Sequence, residues 1–107
     1  MGYKVIITET ATKDLSEVVG YIAQDNTRIA RRIGFAILAR FQLLEKYPFF
    51  GRVVPELERK EWRETVYKRW RLIYYVDERR QTIYAGRVWH GARGEPELPE
   101  LTEIGGE

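Results

Sequence analysis

Arg71, His90 and Arg93 are the side chains of this sequence best placed to do chemistry. All three lie on one stretch, Arg69 to Arg93, reading RWRLIYYVDERRQTIYAGRVWHGAR. Arg71 interrupts an apolar run, and a cation buried alone is too costly, so it must face a partner or a ligand. His90 is the only histidine, and imidazole is the group suited to proton transfer near neutral pH. Arg63, Lys68, Arg69 and Arg87 add positive charge nearby, and an aromatic neighbour of Arg71 on its own strand, Tyr75, makes a suitable floor for an anion. Each residue also has a structural reading. Arg71 can pair with Glu64 or another carboxylate on an adjacent strand, and His90 can be a partly buried histidine at a strand end. Trp62, Trp70 and Trp89 can stack on bases or simply pack.

These residues need a sheet to position them. Trp70–Val76 and Thr82–Trp89 are rich in β-formers and flank the polar break Asp77–Gln81, which reads as a β-hairpin. Along the first of these strands Leu72, Tyr74 and Val76 share one side, expected to meet the helices, while Arg71, Ile73 and Tyr75 share the other. That second side is expected to be open to solvent. Whether Arg87 and Trp89, or Val88 and His90, share it with Arg71 depends on the register of the hairpin.

The rest of the chain supplies the other elements. Lys4–Thr8 reads as a strand covered on both faces. Thr10 and Thr12 are candidate N-caps of a first helix, with Asp14 and Glu17 near its start and an apolar stripe at Leu15, Val18, Val19 and Ile22. Gln24–Thr27 caps a second helix, expected over about residues 28–47 and ended by Pro48. Ala30, Gly34 and Leu38 let the two helices approach as an antiparallel hairpin. Phe49–Pro55 is a connection, and Trp62–Tyr67 another strand. The implied fold is α+β in the order β-α-α-β-β-β, a small antiparallel sheet with an N-terminal helical hairpin packed on one face. One domain is expected over 1–93, followed by an acidic, mobile tail over 94–107.

Composition narrows the function classes. With 107 residues, 44% hydrophobic, the chain is sized for one cored domain. It has no cysteine, so neither a disulfide scaffold nor a thiolate metal site is expected; no metal and no cofactor are inferred. Nothing resembles a signal peptide or a membrane span, so the expected location is the cytoplasm. Residues 52–93 carry 11 Lys or Arg against 6 Asp or Glu, and residues 94–107 carry none against 5. The sheet half is thus expected to attract a polyanion or an acidic protein, and the acidic tail could shield it.

Several motifs in sequence carry a resemblance: Asp14-Leu15 followed by VVGYIAQDN ending at Asn26, FGRVVPEL at Phe50–Leu57, WRLIYYV at Trp70–Val76 and RVWHGAR at Arg87–Arg93. Together the chain resembles the RelE/ParE toxin superfamily of type II toxin–antitoxin pairs, often labelled plasmid stabilisation proteins. The resemblance implies a sheet with a helical hairpin and a cognate antitoxin that neutralises the toxin in a hetero-oligomer, with operator DNA bound only through the antitoxin. RelE-like members cleave mRNA on the ribosome and ParE-like members poison DNA gyrase. Cleavage requires an activated 2′-hydroxyl, a stabilised phosphate and a protonated leaving oxygen. Arg71, Arg93 and His90 match catalytic positions if the chain is RelE-like, with Glu64 as a further acid–base candidate. Lys68 stands alone where a lysine pair is usual, however, and no tyrosine follows His90 or Arg93. The helical hairpin and the closing HGAR are closer to ParE-like sequences. The expectation is therefore a gyrase-directed toxin, with Arg63, Lys68, Arg69, Arg87 and Trp89 contacting target or antitoxin. The alternatives are an mRNA endoribonuclease and an inactive remnant that only binds antitoxin.

Overall fold

The computed structural model describes residues 2–105. It begins with strand β1 (Lys4–Ile7), helices α1 (Glu9–Ala23) and α2 (Thr27–Leu43) and the two-residue strand β2 (Arg52–Val53). The meander β3 (Trp62–Tyr67), β4 (Trp70–Asp77) and β5 (Thr82–His90) follows. The architecture is α+β in the expected order, with β2 added. Strand order in the five-stranded sheet is β1-β5-β4-β3-β2. It is mixed rather than wholly antiparallel, because β1 runs parallel to β5. The helical hairpin returns the chain to the far edge of the sheet, and the meander then brings β5 back beside β1. β1 is therefore an edge strand, not an interior one, which is why its residues are only half-buried.

The cap of α1 is Thr8, whose hydroxyl accepts from the Ala11 amide and donates to the Ala85 carbonyl. Thr10 and Thr12, the expected caps, lie inside the helix. Thr8 wins because it leaves β1 in extended geometry while holding both the first turn of α1 and β5. Asn26 caps α2 through its side chain. That helix stops at Leu43, short of Pro48: the amides of Leu44, Glu45 and Lys46 bond three residues back rather than four, and the Glu45 carbonyl accepts from the Tyr3 amide instead of continuing the helical ladder. Close packing of the hairpin rests on Gly34, where an added Cβ would lie 3.0 Å from a Val19 methyl. No helix is long and apolar enough to cross a membrane among the described residues.

Two cores sandwich the sheet. On the helix side Leu72, Tyr74 and Val76 pack with Ile83, Ala85 and Val88 against Ile33, Ile37, Phe41 and Leu44. The assignment of the β4 faces thus holds. The second side is not open. Val54, Trp62, Ile73, Tyr84, Trp89 and Ile104 form another core there, with Leu57 and Leu98 against it. The segment after Arg93, expected as a mobile tail, lies across this face. Arg87 donates to the Glu97 carbonyl, the Trp89 indole to the Gly94 carbonyl and Arg80 to the Gly105 carbonyl. Glu103 accepts from the backbone and hydroxyl of Thr10. The tail thus meets the basic strands through carbonyls as well as through charge. Burial of Ile104, with 7% of its surface left exposed, supplies the hydrophobic anchor.

A bulge sets the register of the hairpin. Ile73 pairs with Arg87 and Tyr74 with Ala85, leaving Gly86 as the extra residue. A Cβ at Gly86 would lie 3.2 Å from the Trp62 ring and 3.4 Å from the Ile73 carbonyl and Pro99, so strand and tail cross closely at the bulge. Past the bulge the alternation reverses: Arg71 lies opposite Trp89, and Trp70 opposite His90.

Candidate functional site

The register divides the expected site residues between two faces. Arg71, Arg87 and Trp89 stand on the tail side, whereas His90 stands beside Trp70 on the helix side, their rings 6.3 Å apart edge to face. The grouping of Arg71, Arg93 and His90 on one open surface does not form.

Arg71 is held by two carboxylates. Its Nε donates to Glu64 at 2.6 Å, and its two terminal nitrogens donate to Glu56 at 2.9 and 2.7 Å. Glu64 also accepts from Arg52 Nε at 2.8 Å, and its side chain has no exposed surface. A carboxylate so placed is tolerable only because two guanidinium groups reach it. The bond from Arg71 holds the Glu56 carboxyl down at about 2, and the two carboxylates raise Arg71 above its ordinary value. The positive charge expected to hold an anion is therefore already neutralised within the fold.

Arg87 has a similar role. It forms a two-pronged pair with Asp14 at 2.8 and 2.7 Å, and the same carboxylate accepts the Val88 amide at 2.9 Å. This pairing raises Arg87 above its ordinary value and ties α1 to β5. Asp14 thus serves the sheet rather than the start of its own helix. Trp89, with 2% of its surface exposed, is a core residue; Arg87 and Arg93 lie 4.7 and 3.9 Å from its ring centre. Trp62 and Trp70 are buried as well, so none of the three tryptophans offers a free stacking surface. Arg63 is spent on the fold, donating to the Lys60 and Gly51 carbonyls over the Phe49 ring.

What the fold does assemble is a groove of about 440 Å³ on the helix side. Val18, Tyr21 and Ile22 of α1 and Ile29 and Ile33 of α2 form its apolar wall. Lys68, Arg69, His90 and Arg93 close its other end. Lys68 occupies the tight β3–β4 turn with φ of 54°, which thrusts that turn toward the groove. The Arg69 carbonyl accepts the Gly91 amide at 2.8 Å, joining the turn to the end of β5. His90 caps the short turn Gly91–Arg93, its Nδ1 accepting from the Ala92 amide at 3.1 Å. Tyr21 and Ile29 remain 75% and 43% exposed, large apolar surface of the kind that a binding groove presents. The spacing of Ile29 with Ile33 and Ile37 reads as a core stripe, and Tyr21 falls outside the α1 stripe of Leu15, Val18, Val19 and Ile22, so neither stands out in the sequence as a binding residue. The available signal was a large aromatic residue, Tyr21, lying outside the stripe that packs its helix. Among the described residues no cluster of three or more His, Asp or Glu is arranged to hold a metal ion.

The family model for the ParE toxin of the type II toxin–antitoxin system parDE matches residues 5–94. The chain belongs to the ParE toxin family. It is similar in fold to a chain of the toxin–antitoxin complex RelBE2 from Mycobacterium tuberculosis, with a TM-score of 0.64 and 23% identity over 84% of this chain and 99% of that one. No curated protein matches. The matched region of this ParE-family toxin spans both helices and the whole sheet, and thus contains the groove and both carboxylate–arginine clusters.

Proposed function

We propose that this ParE-family chain is a growth-inhibiting toxin that acts by binding, with DNA gyrase as its target, and that a cognate antitoxin neutralises it. The observation that carries the reading is the double capture of Arg71 by Glu56 and Glu64. Phosphoryl chemistry needs a free cation beside the reacting phosphate and an acid or base within reach. Here a phosphate would have to displace two carboxylates from Arg71, one of them fully buried, while His90 lies on the opposite side of the sheet. A binding toxin has no such requirement.

The groove supports the antitoxin half of the proposal. An amphipathic segment fits it, with apolar residues against Tyr21, Ile22, Ile29 and Ile33 and acidic ones toward Lys68, Arg69 and Arg93. The test is induction of the toxin without antitoxin in bacteria carrying a DNA-damage reporter, together with a supercoiling assay on purified gyrase. Growth arrest with reporter induction and lost supercoiling is expected. Arrest with a silent reporter and new mRNA cleavage products would replace the proposal with the endoribonuclease reading; soluble protein without arrest would mark an inactive remnant.

A further inference from the structure

The outer face of α2 carries a cluster outside the groove and outside both ion-pair networks. Arg28, Arg31, Arg32 and Phe35 fall at i, i+3, i+4 and i+7, on one face of the helix. They point away from the core stripe of Ala30, Ile33, Ile37 and Phe41. All three arginines are exposed, and Phe35 keeps 65% of its surface in solvent. Together they line a shallow depression with Thr27. Among the described residues none of the three arginines takes part in an ion pair, unlike Arg52, Arg71 and Arg87. The helix contains no acidic residue at all between Thr27 and Leu43.

The fold gains nothing from this arrangement. Positive charges in the first turns of a helix oppose its dipole, and like charges at i, i+3 and i, i+4 repel each other. A phenylalanine that leaves 65% of its surface in solvent adds little burial. We propose that this face docks the phosphodiester backbone of nucleic acid. Guanidinium forks match phosphate oxygens, and Phe35 offers a flat apolar ring to an unpaired base. Three unpaired guanidinium groups select a polyanion by charge, and the exposed ring beside them adds a stacking contact that a base supplies through its flat face.

The test uses the full chain and fluorescence anisotropy with labelled oligonucleotides about 12 nucleotides long, as single-stranded DNA, duplex DNA and RNA, across a salt series. The variants are Arg28→Gln combined with Arg31→Gln and Arg32→Gln, and separately Phe35→Ala. Loss of three phosphate contacts should flatten the salt slope on a single strand by roughly 2 and weaken low-salt binding at least about tenfold. Phe35→Ala should weaken single strands more than duplex. Glutamine removes repulsion, so the triple variant should melt at or above the wild-type temperature, which separates lost binding from lost folding. The three probes identify the nucleic acid preferred. An unchanged slope in the triple variant would overturn the proposal, as would polyglutamate competing as well, charge for charge, as the oligonucleotide. Binding is read on purified protein, so the outcome is independent of the toxin's cellular target.

Discussion

Replacing Arg71 separates the structural from the catalytic account of the residue. Arg71→Met keeps the apolar stem but removes the guanidinium, leaving Glu64 with no exposed side-chain surface and with Arg52 as its one remaining ion-pair partner. Breaking a fully buried pair costs about 3–5 kcal/mol. Arg52 stays in place, although it is 64% exposed and therefore a weaker partner, so a loss of about 2–3 kcal/mol is expected. For a domain of this size that lowers the melting temperature by roughly 10–20 °C. Adding Glu64→Leu removes the stranded charge, and the double variant should regain more than half of the loss, a coupling of about 1.5 kcal/mol or more. Thermal melts followed by circular dichroism give the stabilities, and growth arrest on induction gives the activity. If Arg71 is structural, toxicity falls with stability and returns in the double variant. A single variant that melts like the wild type would refute the burial argument. A stable double variant that no longer arrests growth would show that the pair acts on the target.

Asp14→Asn should cost about 2–3 kcal/mol, seen as a lower urea midpoint, because the one carboxylate holds Arg87 and the Val88 amide together. Gly51→Ala should be at least as damaging, with low soluble yield as the readout: its Cβ would lie 2.3 Å from the Glu64 carbonyl oxygen and 2.8 Å from the Tyr74 hydroxyl, where backbone cannot yield. Acid should also weaken the fold. Glu56 falls from 4.5 to about 2 on folding, and Glu103 is lowered in the same direction by its bonds from Thr10. A lowered carboxyl contributes fully above its unfolded value and less as pH falls through its folded one. Stability should therefore hold from neutral pH to about 5 and decline below 4.5, with Glu56 contributing about 1 kcal/mol after solvent screening. Urea melts at pH 6 and pH 3 on the wild type and Glu56→Gln check this, and an equal pH response in both would remove Glu56 as a cause.

Periodic features were legible in the sequence. Trp62–Tyr67 has the bounds read from its pattern, and β4 and β5 differ from theirs by one residue each. The Glu64 partner of Arg71 was legible too, since a strand carboxylate near a strand arginine is a local inference. What escaped has a common physical origin. β2 is two residues long, too short for any period. The bulge at Gly86 reverses the alternation of β5: a straight register counted from the turn puts Val88 and His90 beside Arg71, whereas the other alternative left open by the sequence, Arg87 and Trp89, is the one the bulge produces. The bond between Asp14 and Arg87 spans 73 residues, and carboxylates near a helix start invite the nearer explanation. The cover over the second face comes from a segment with no period, held by Leu98 and Ile104 and by backbone carbonyls.

The same contacts change what the charge count means. Residues 52–93 look like the basic half of the molecule, yet Arg52, Arg71 and Arg87 are matched by Glu64, Glu56 and Asp14, and the tail lies over the face they serve. Among the described residues, Lys68, Arg69 and Arg93 have no carboxylate partner, and all three border the groove between the helices and the β3–β4 turn. An acidic partner entering the groove meets uncompensated charge at that end, separate from the unpaired arginines on the outer face of α2. Neutralising Lys68, Arg69 and Arg93 with glutamine should therefore reduce the salt dependence of antitoxin binding, whereas Arg71→Met paired with Glu64→Leu should leave it unchanged. Titration of antitoxin against both variants by calorimetry at two salt concentrations reads the difference directly. Equal slopes in both would mean that the antitoxin is recognised through apolar contacts with Tyr21, Ile22, Ile29 and Ile33, and that the charge at the groove's end serves another partner.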